Sequence, residues 1–481
     1  MRHALTLFLT IFSATAFSYT PLDYLPQGSR VGLEIATVSG QPLALNSEQL
    51  FPPASTLKLV TALAAKIELG DTFRFTTEIQ QKHNDLIIQF SGDPTLTTHH
   101  LEDLIMAAKA KGVSEVKGDI LLNNQIFSGY ERGVGWPWDI LGVCYSAPAS
   151  AITLDKNCVQ ASIYTNSDGS TRVHVPAHQP ISVESKAITV SETEQKERQC
   201  DLELTTSDNN RYQLSGCLKK RNKPLPLKFA VQHTDAYAAQ VIRRLLAKHA
   251  IKFNGTIKAS TQSRGILLSK HQSAPLPQLL ETMLQKSDNL IADNLTKTLG
   301  QRFFVQPGSF NNGTEAIKQI IYSRTGIDLN DAQLADGSGL SRNNRMTAAD
   351  MNQILRYIWR NDSELQMLKL LPTAGESGTL KYRRSMRKAP VKGHVIAKSG
   401  SLYGSYNMAG YTLNSKGEPQ ASFVQFVTDY YPPERDDEIK VTPPIFLFEQ
   451  AFYQDLIKLG SGQEAPELTL KKIARQLFHI E

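Results

Sequence analysis

Phe51-Pro-Pro-Ala-Ser55-Thr-Leu-Lys58-Leu-Val-Thr-Ala-Leu-Ala-Ala-Lys66 decides how the rest of the chain is read. Pro52 and Pro53 suit the start of a helix, where a missing N–H costs little. Leu59, Val60, Leu63 and Ile67 then recur at helical spacing, and Gly70 closes the run. Ser55 is therefore expected at a helix N-terminus, beside free backbone N–H groups and the positive end of the dipole. Lys58 follows one turn later on the same face. A hydroxyl beside an amine on an apolar helix is the nucleophile and base of Ser–Lys acyl transfer. Ser-x-x-Lys recurs at Ser114–Lys117 and Ser385–Lys388, but without that helical context.

Two further motifs follow in the order this chemistry uses. Ser-Asp-Asn occurs at 207–209 and at 287–289. The first sits in a polar Thr-Thr-Ser-Asp-Asn-Asn run and reads as an exposed turn. The second interrupts an apolar helical stretch, where short polar side chains weaken a helix unless they have a task. Ser287 is expected to relay a proton towards the leaving group, and Asn289 to hold a substrate amide. Lys398-Ser399-Gly400 is the one Lys-Ser/Thr-Gly in the sequence, after an apolar strand and before Ser401-Leu-Tyr-Gly404. Lys398 offers a positive charge for a carboxylate, and Ser399 a donor. Gly400 leaves room for substrate along the strand.

Outside these motifs the chain reads as an ordinary globular protein of 481 residues with a mild net charge of +6, too little to argue for nucleic acid. Residues 1–18 carry Arg2 and His3 before an apolar run and then Ala14-Thr-Ala16, the outline of a signal peptide. No later run has the length of a membrane span. The mature chain is expected to be exported and soluble. Cys144, Cys158, Cys200 and Cys217 suit an oxidising compartment, and four cysteines allow three pairings. The short loops favour Cys144–Cys158 and Cys200–Cys217. No cysteine spacing fits a metal site.

Short strands are expected at 30–36 and 41–45, turning at Ser39-Gly40, and at 74–79 and 86–90. A helix through Leu101 and Ala108 ends at Gly112. A largely β stretch, about 113–233, holds all four cysteines. Thr234 is expected to cap a helix through Ala238 and Leu245. Helices return from about 276, and strands at 395–398, 406–412 and 422–428. Leu470, Ile473, Ala474 and Leu477 form an amphipathic C-terminal pattern.

Each motif is weak alone; the ordered triple resembles the class C low-molecular-mass penicillin-binding proteins, the D-alanyl-D-alanine carboxypeptidase/endopeptidases of peptidase family S13. Leu50-Phe-Pro-Pro-Ala-Ser-Thr-Leu-Lys58, Ser146-Ala-Pro-Ala-Ser-Ala-Ile-Thr-Leu-Asp155-Lys-Asn-Cys158, Asp336-Gly-Ser-Gly-Leu-Ser-Arg342 and Lys398-Ser-Gly-Ser-Leu-Tyr-Gly404 carry the resemblance. Ser399 stands where the family usually has threonine, which keeps the hydroxyl. The resemblance implies an α/β (α+β) transpeptidase-like domain, an antiparallel sheet with helices on both sides, from residues 19–75 and 262–481. It also implies two inserted, mostly β domains in the long interval between Lys58 and Ser287: 76–165 with 234–261, and a nested 166–233.

The resemblance implies acyl transfer on peptidoglycan peptides in the periplasm, inhibition by β-lactams, and no cofactor. A homodimer is compatible with it. Ser55 attacks, Lys58 is the base, and the backbone N–H groups of Ser55 and Ser401 form the oxyanion hole. Asp155 and Arg342 are implied as substrate-binding; from the residues alone, Asp155 is equally a turn residue and Arg342 half of an ion pair. Two other readings stand beside this one. A secreted β-lactamase requires a deacylating device, and no Glu-x-x-x-Asn follows Ser287. A non-catalytic wall-binding scaffold is at odds with the intact triple.

Overall fold

The computed structural model describes residues 19–37, 42–262, 264–432 and 442–462. The expected N-terminal signal, the turn at Ser39-Gly40 and the C-terminal amphipathic pattern lie outside them.

The domain that carries Ser55, Ser287 and Lys398 is built on a five-stranded sheet. Its order is Val395–Leu402, Ser405–Leu413, Pro419–Thr428, Arg30–Thr37, Leu43–Leu45, antiparallel throughout. Both faces are covered, as expected. On one face pack the helices Lys58–Leu69, Leu276–Lys286, Asn289–Phe304, Phe310–Thr325 and Ala348–Arg360 around Leu63, Met283, Leu295, Ile320 and Phe426. On the other, Pro444–Gly460 places Phe448 and Phe452 against Phe423. Strands buried on both faces cannot alternate polar and apolar residues, and the run from Ala421 to Thr428 is buried throughout.

The first inserted domain differs from expectation. Its sheet runs Ile257–Ser260, Ile120–Asn123, Asp85–Gln89, Thr76–Lys82, Ile266–Gln272. The first three strands are parallel and the last two pairings antiparallel. Parallel neighbours require crossovers, which helices usually supply. Thr98–Ala110 and Thr234–Lys248 pack on this sheet through Leu101, Leu104, Val241 and Ile242. This domain is therefore mixed α/β rather than mostly β. Thr234 does not cap its helix; its hydroxyl shares a hydrogen bond with that of Ser150.

Strand pairing also moves the boundaries expected at 262 and 166. Ile266–Gln272 pairs with Thr76–Lys82, so the insert extends through Gln272. Cys158–Thr165 pairs with Leu225–Ala230, and Ala161 and Ile163 join the core of the nested domain, which therefore starts at Cys158. The nested domain is mostly β, as expected, with a second sheet around Arg211–Lys219. Both expected disulfides, Cys144–Cys158 and Cys200–Cys217, are formed.

Candidate active site

Ser55 lies in a 3-10 turn, Ala54–Leu57, that runs directly into the helix Lys58–Leu69. The Lys58 Nζ is fully buried and lies within hydrogen-bond distance of three oxygens: Ser55 Oγ at 2.9 Å, Asn289 Oδ1 at 2.7 Å and the Ser338 carbonyl at 2.6 Å. A neutral amine has two N–H bonds and one lone pair. Asn289 and Ser338 take the two hydrogens, and the lone pair is left facing the Ser55 hydroxyl. Burial pushes Lys58 down to about 8, while Asp293, Asp336 and Asp288 act in the opposite sense.

Ser287 ends the helix Leu276–Lys286 in the left-handed region, φ 56° and ψ 40°. Asp288 then caps the next helix by accepting from Ile291 N. A serine in that conformation costs roughly 1–2 kcal/mol, which fits a residue held for a task rather than for stability. Its Oγ accepts from Lys398 Nζ at 2.9 Å, and Lys398 also donates to the Ser399 carbonyl at 2.7 Å. Ser399 exchanges a hydrogen bond with Thr379 Oγ1 at 2.8 Å. Burial, Lys58 and Arg383 all push Lys398 well below the ordinary lysine value, so an anionic partner is needed to hold its charge.

Gly400 plays a part beyond the one expected. A Cβ there would lie 2.9 Å from the Pro53 carbonyl and 3.0 Å from the Ser55 amide nitrogen. The backbone that needs the missing side chain is that of the nucleophile turn itself, which lies against the strand Val395–Leu402. Gly339 does the same from the other side: at φ +79°, its Cβ would meet the Ala54 carbonyl at 1.9 Å. Ser401, next to Gly400 and exposed, continues the strand past Ser55.

The chain matches the model of the D-Ala-D-Ala carboxypeptidase 3 (S13) family over residues 24–443. It belongs to that family. It is 39% identical over 447 residues to the D-alanyl-D-alanine carboxypeptidase DacB of Haemophilus influenzae, covering 90% of this chain and 92% of that one. The crystal structure of penicillin binding protein 4 from H. influenzae superposes with a TM-score of 0.85 at 38% identity, over 91% of this chain and 98% of that one. A complex of the same protein with a β-lactam gives 0.80 at 37% identity, over the same shares of the two chains.

Two residues expected in the substrate site of this S13 protein are not brought into the cluster. The Asp155 carboxylate accepts from the backbone and hydroxyl of Thr98, at the start of an insert helix. Its neighbour Lys156 makes the reach instead, to Asp288 Oδ2 at 2.8 Å. Arg342 is exposed, and among the described residues its guanidinium makes no hydrogen bond or ion pair; its backbone N–H donates to Gly135. It shares a loop with Ser338, whose carbonyl holds Lys58. The other Ser-Asp-Asn, at 207–209, is exposed as expected, and Ser114 is exposed too. Ser385 donates to Glu449.

Three contributors were missed. Asp293 is fully buried, and its Oδ1 accepts from Gly337 N and Ser338 N, fixing the loop whose carbonyl holds Lys58. Its signal was present: a carboxylate inside Leu290-Ile-Ala-Asp-Asn-Leu295 is unpaired in any amphipathic reading. Thr379 left none. Tyr145 contributes only its carbonyl, which accepts from Asn289 Nδ2 at 2.8 Å, and a backbone acceptor has no side-chain signature.

The Tyr145 loop is held by the inserts. Ala230 N donates to Gly142, Gln232 Nε2 donates to Leu141, and Cys144 is tied to Cys158. Replacing Cys144 and Cys158 together by serine is expected to lower stability by about 3 kcal/mol and to slow acylation, because Asn289 loses a fixed partner. Denaturant unfolding and penicillin acylation of the double variant check this; an unchanged midpoint and rate contradict it.

Proposed function

We propose that this chain is a serine D-alanyl-D-alanine carboxypeptidase with endopeptidase activity, acting through an acyl-enzyme on Ser55 and acylated there by β-lactams. The observation that carries the reading is the Lys58 amine, 2.9 Å from Ser55 Oγ with its other partners fixed, within a chain of this family. Lys58 takes the Ser55 proton as the oxygen attacks the D-alanine carbonyl. The N–H groups of Ser55 and Ser401 meet the developing oxyanion. Ser287, supported by Lys398, passes a proton to the leaving amine, and Lys398 with Ser399 reads the terminal carboxylate. Water then attacks the ester carbonyl and restores Ser55. None of these steps calls for a metal. Export to the periplasm is supported by the signal-like pattern of residues 1–18 and by the two disulfides.

The test is mass analysis of products. A monomeric pentapeptide should lose one D-alanine and a cross-linked dimer should yield two monomers. A fluorescent penicillin that labels the protein while both peptides stay intact contradicts the peptidase reading.

Because Lys58 acts unprotonated, activity should rise with pH. With Lys58 near 8, the acylation rate should climb about tenfold per pH unit below 8 and level above it. Acylation by a β-lactam whose own charge is constant from pH 6 to 9 measures this. A flat profile contradicts Lys58 as the base.

A further inference from the structure

Ser287 and Asn289 line one end of a cleft of about 840 Å³ whose remainder the reaction above does not use. One wall is the break from Lys286 to Leu290; the other is the nested domain. Terminal D-alanine alone cannot fill a space of this size, which lies in the range of roughly 300–1,000 Å³ found for whole ligands. The nested wall offers two kinds of surface. Leu202 and Leu204 present half-buried apolar side chains. Lys228 and Gln160, cross-strand partners on Leu225–Ala230 and Cys158–Thr165, are exposed beside them. At the catalytic side Lys156 is paired with Asp288, which also lines the cleft, so among the described residues the unpaired positive charge comes from Lys286 there and Lys228 opposite.

This wall packs against the reaction centre. A Cβ at Gly142 would meet Leu204 Cδ2 at 2.5 Å, so the nested domain rests on the loop that delivers the Tyr145 carbonyl to Asn289. The cleft therefore continues the reaction centre itself, and its cations suit an anionic chain with apolar stretches.

We infer that this cleft holds the second peptide strand of a cross-linked wall substrate, with the nested domain as its docking wall. The inference rests on the function proposed above. A wall cross-link joins two stem peptides, each bearing free carboxylates, and only a cross-linked substrate carries a chain on the leaving side of the cut bond. Lys228 then pairs with a carboxylate of that chain, and Leu202 and Leu204 cover its aliphatic part.

The test compares three ligands on the full-length protein: a fluorescent penicillin, a monomeric pentapeptide and a cross-linked peptide dimer. The variants are Lys228→Glu and Gln160→Trp, both on the exposed face of the strand pair and far from the core. Each should reduce kcat/KM for the dimer by roughly tenfold, the size of one charge-assisted contact or one blocked subsite. Penicillin acylation and pentapeptide hydrolysis should stay within about twofold of wild type. Unchanged dimer cleavage in both variants overturns the inference, as does a parallel fall for all three ligands. A wild-type enzyme that hydrolyses the pentapeptide but leaves the dimer intact overturns it while the carboxypeptidase reading stands. Inactivity on all three overturns both.

Discussion

Lys58→Ala should slow the acylation of Ser55 by roughly 10²–10⁴-fold or more, equally for peptides and every β-lactam. The effect is general because the lost group acts on the nucleophile and touches no part of the ligand. In the folded protein no other described amine or imidazole hydrogen-bonds to Ser55 Oγ; Lys398 is turned to Ser287 and Ser399. The substitution also strands the buried Ser338 carbonyl, at about 1–3 kcal/mol, and the half-buried Asn289 Oδ1. Circular dichroism and thermal melting therefore accompany the kinetics, and an external primary amine small enough to enter the cavity should restore part of the rate. A folded variant that acylates within tenfold of wild type would place the base elsewhere.

Lys398→Ala should separate ligands that Lys58→Ala does not. Removing a charge-assisted hydrogen bond costs about 1.5–3 kcal/mol, so a ligand with a free carboxylate should lose roughly tenfold to a hundredfold more than its ester. Both ligands should also share a loss, because Lys398 donates to Ser287 Oγ at 2.9 Å. The depressed proton affinity of Lys398 sharpens the contrast. Burial, Lys58 and Arg383 disfavour its charge, and Arg383 is itself paired with Glu449, so a ligand carboxylate is the anion that stabilises the ammonium. Stopped-flow acylation with a matched acid and ester decides it. Equal losses for the two, as deep as for Lys58→Ala, would end the division of labour between the lysines.

What could be read from the sequence follows from how local each interaction is. Ser55 and Lys58 are three residues apart on one helix, so helical geometry alone brings them together. Ser287 declared itself by breaking an apolar helical stretch, and the structure shows that break between two helices. The strand before Lys398 was legible because a short apolar run led into a polar triplet. The orientation of the insert's strands was not: Leu86–Ile88 and Ile120–Leu122 are apolar runs that look the same in either direction. The exchange of Asp155 for Lys156 was also hidden. Residues 155–157 all take positive φ, so neighbouring side chains diverge, one towards Thr98 and the other towards Asp288. Tyr145 reaches Asn289 across 144 positions through a carbonyl, and the packing of Gly400 on the Ser55 turn is likewise a property of two distant backbones.

The central claim is that Ser55 is the nucleophile, and one measurement addresses it directly. After reaction with a fluorescent penicillin, digestion and mass spectrometry should place the covalent adduct on the peptide that contains Ser55, and Ser55→Ala should abolish it. An adduct on Ser287, Ser399 or any other serine, or one that persists in Ser55→Ala, would contradict the account.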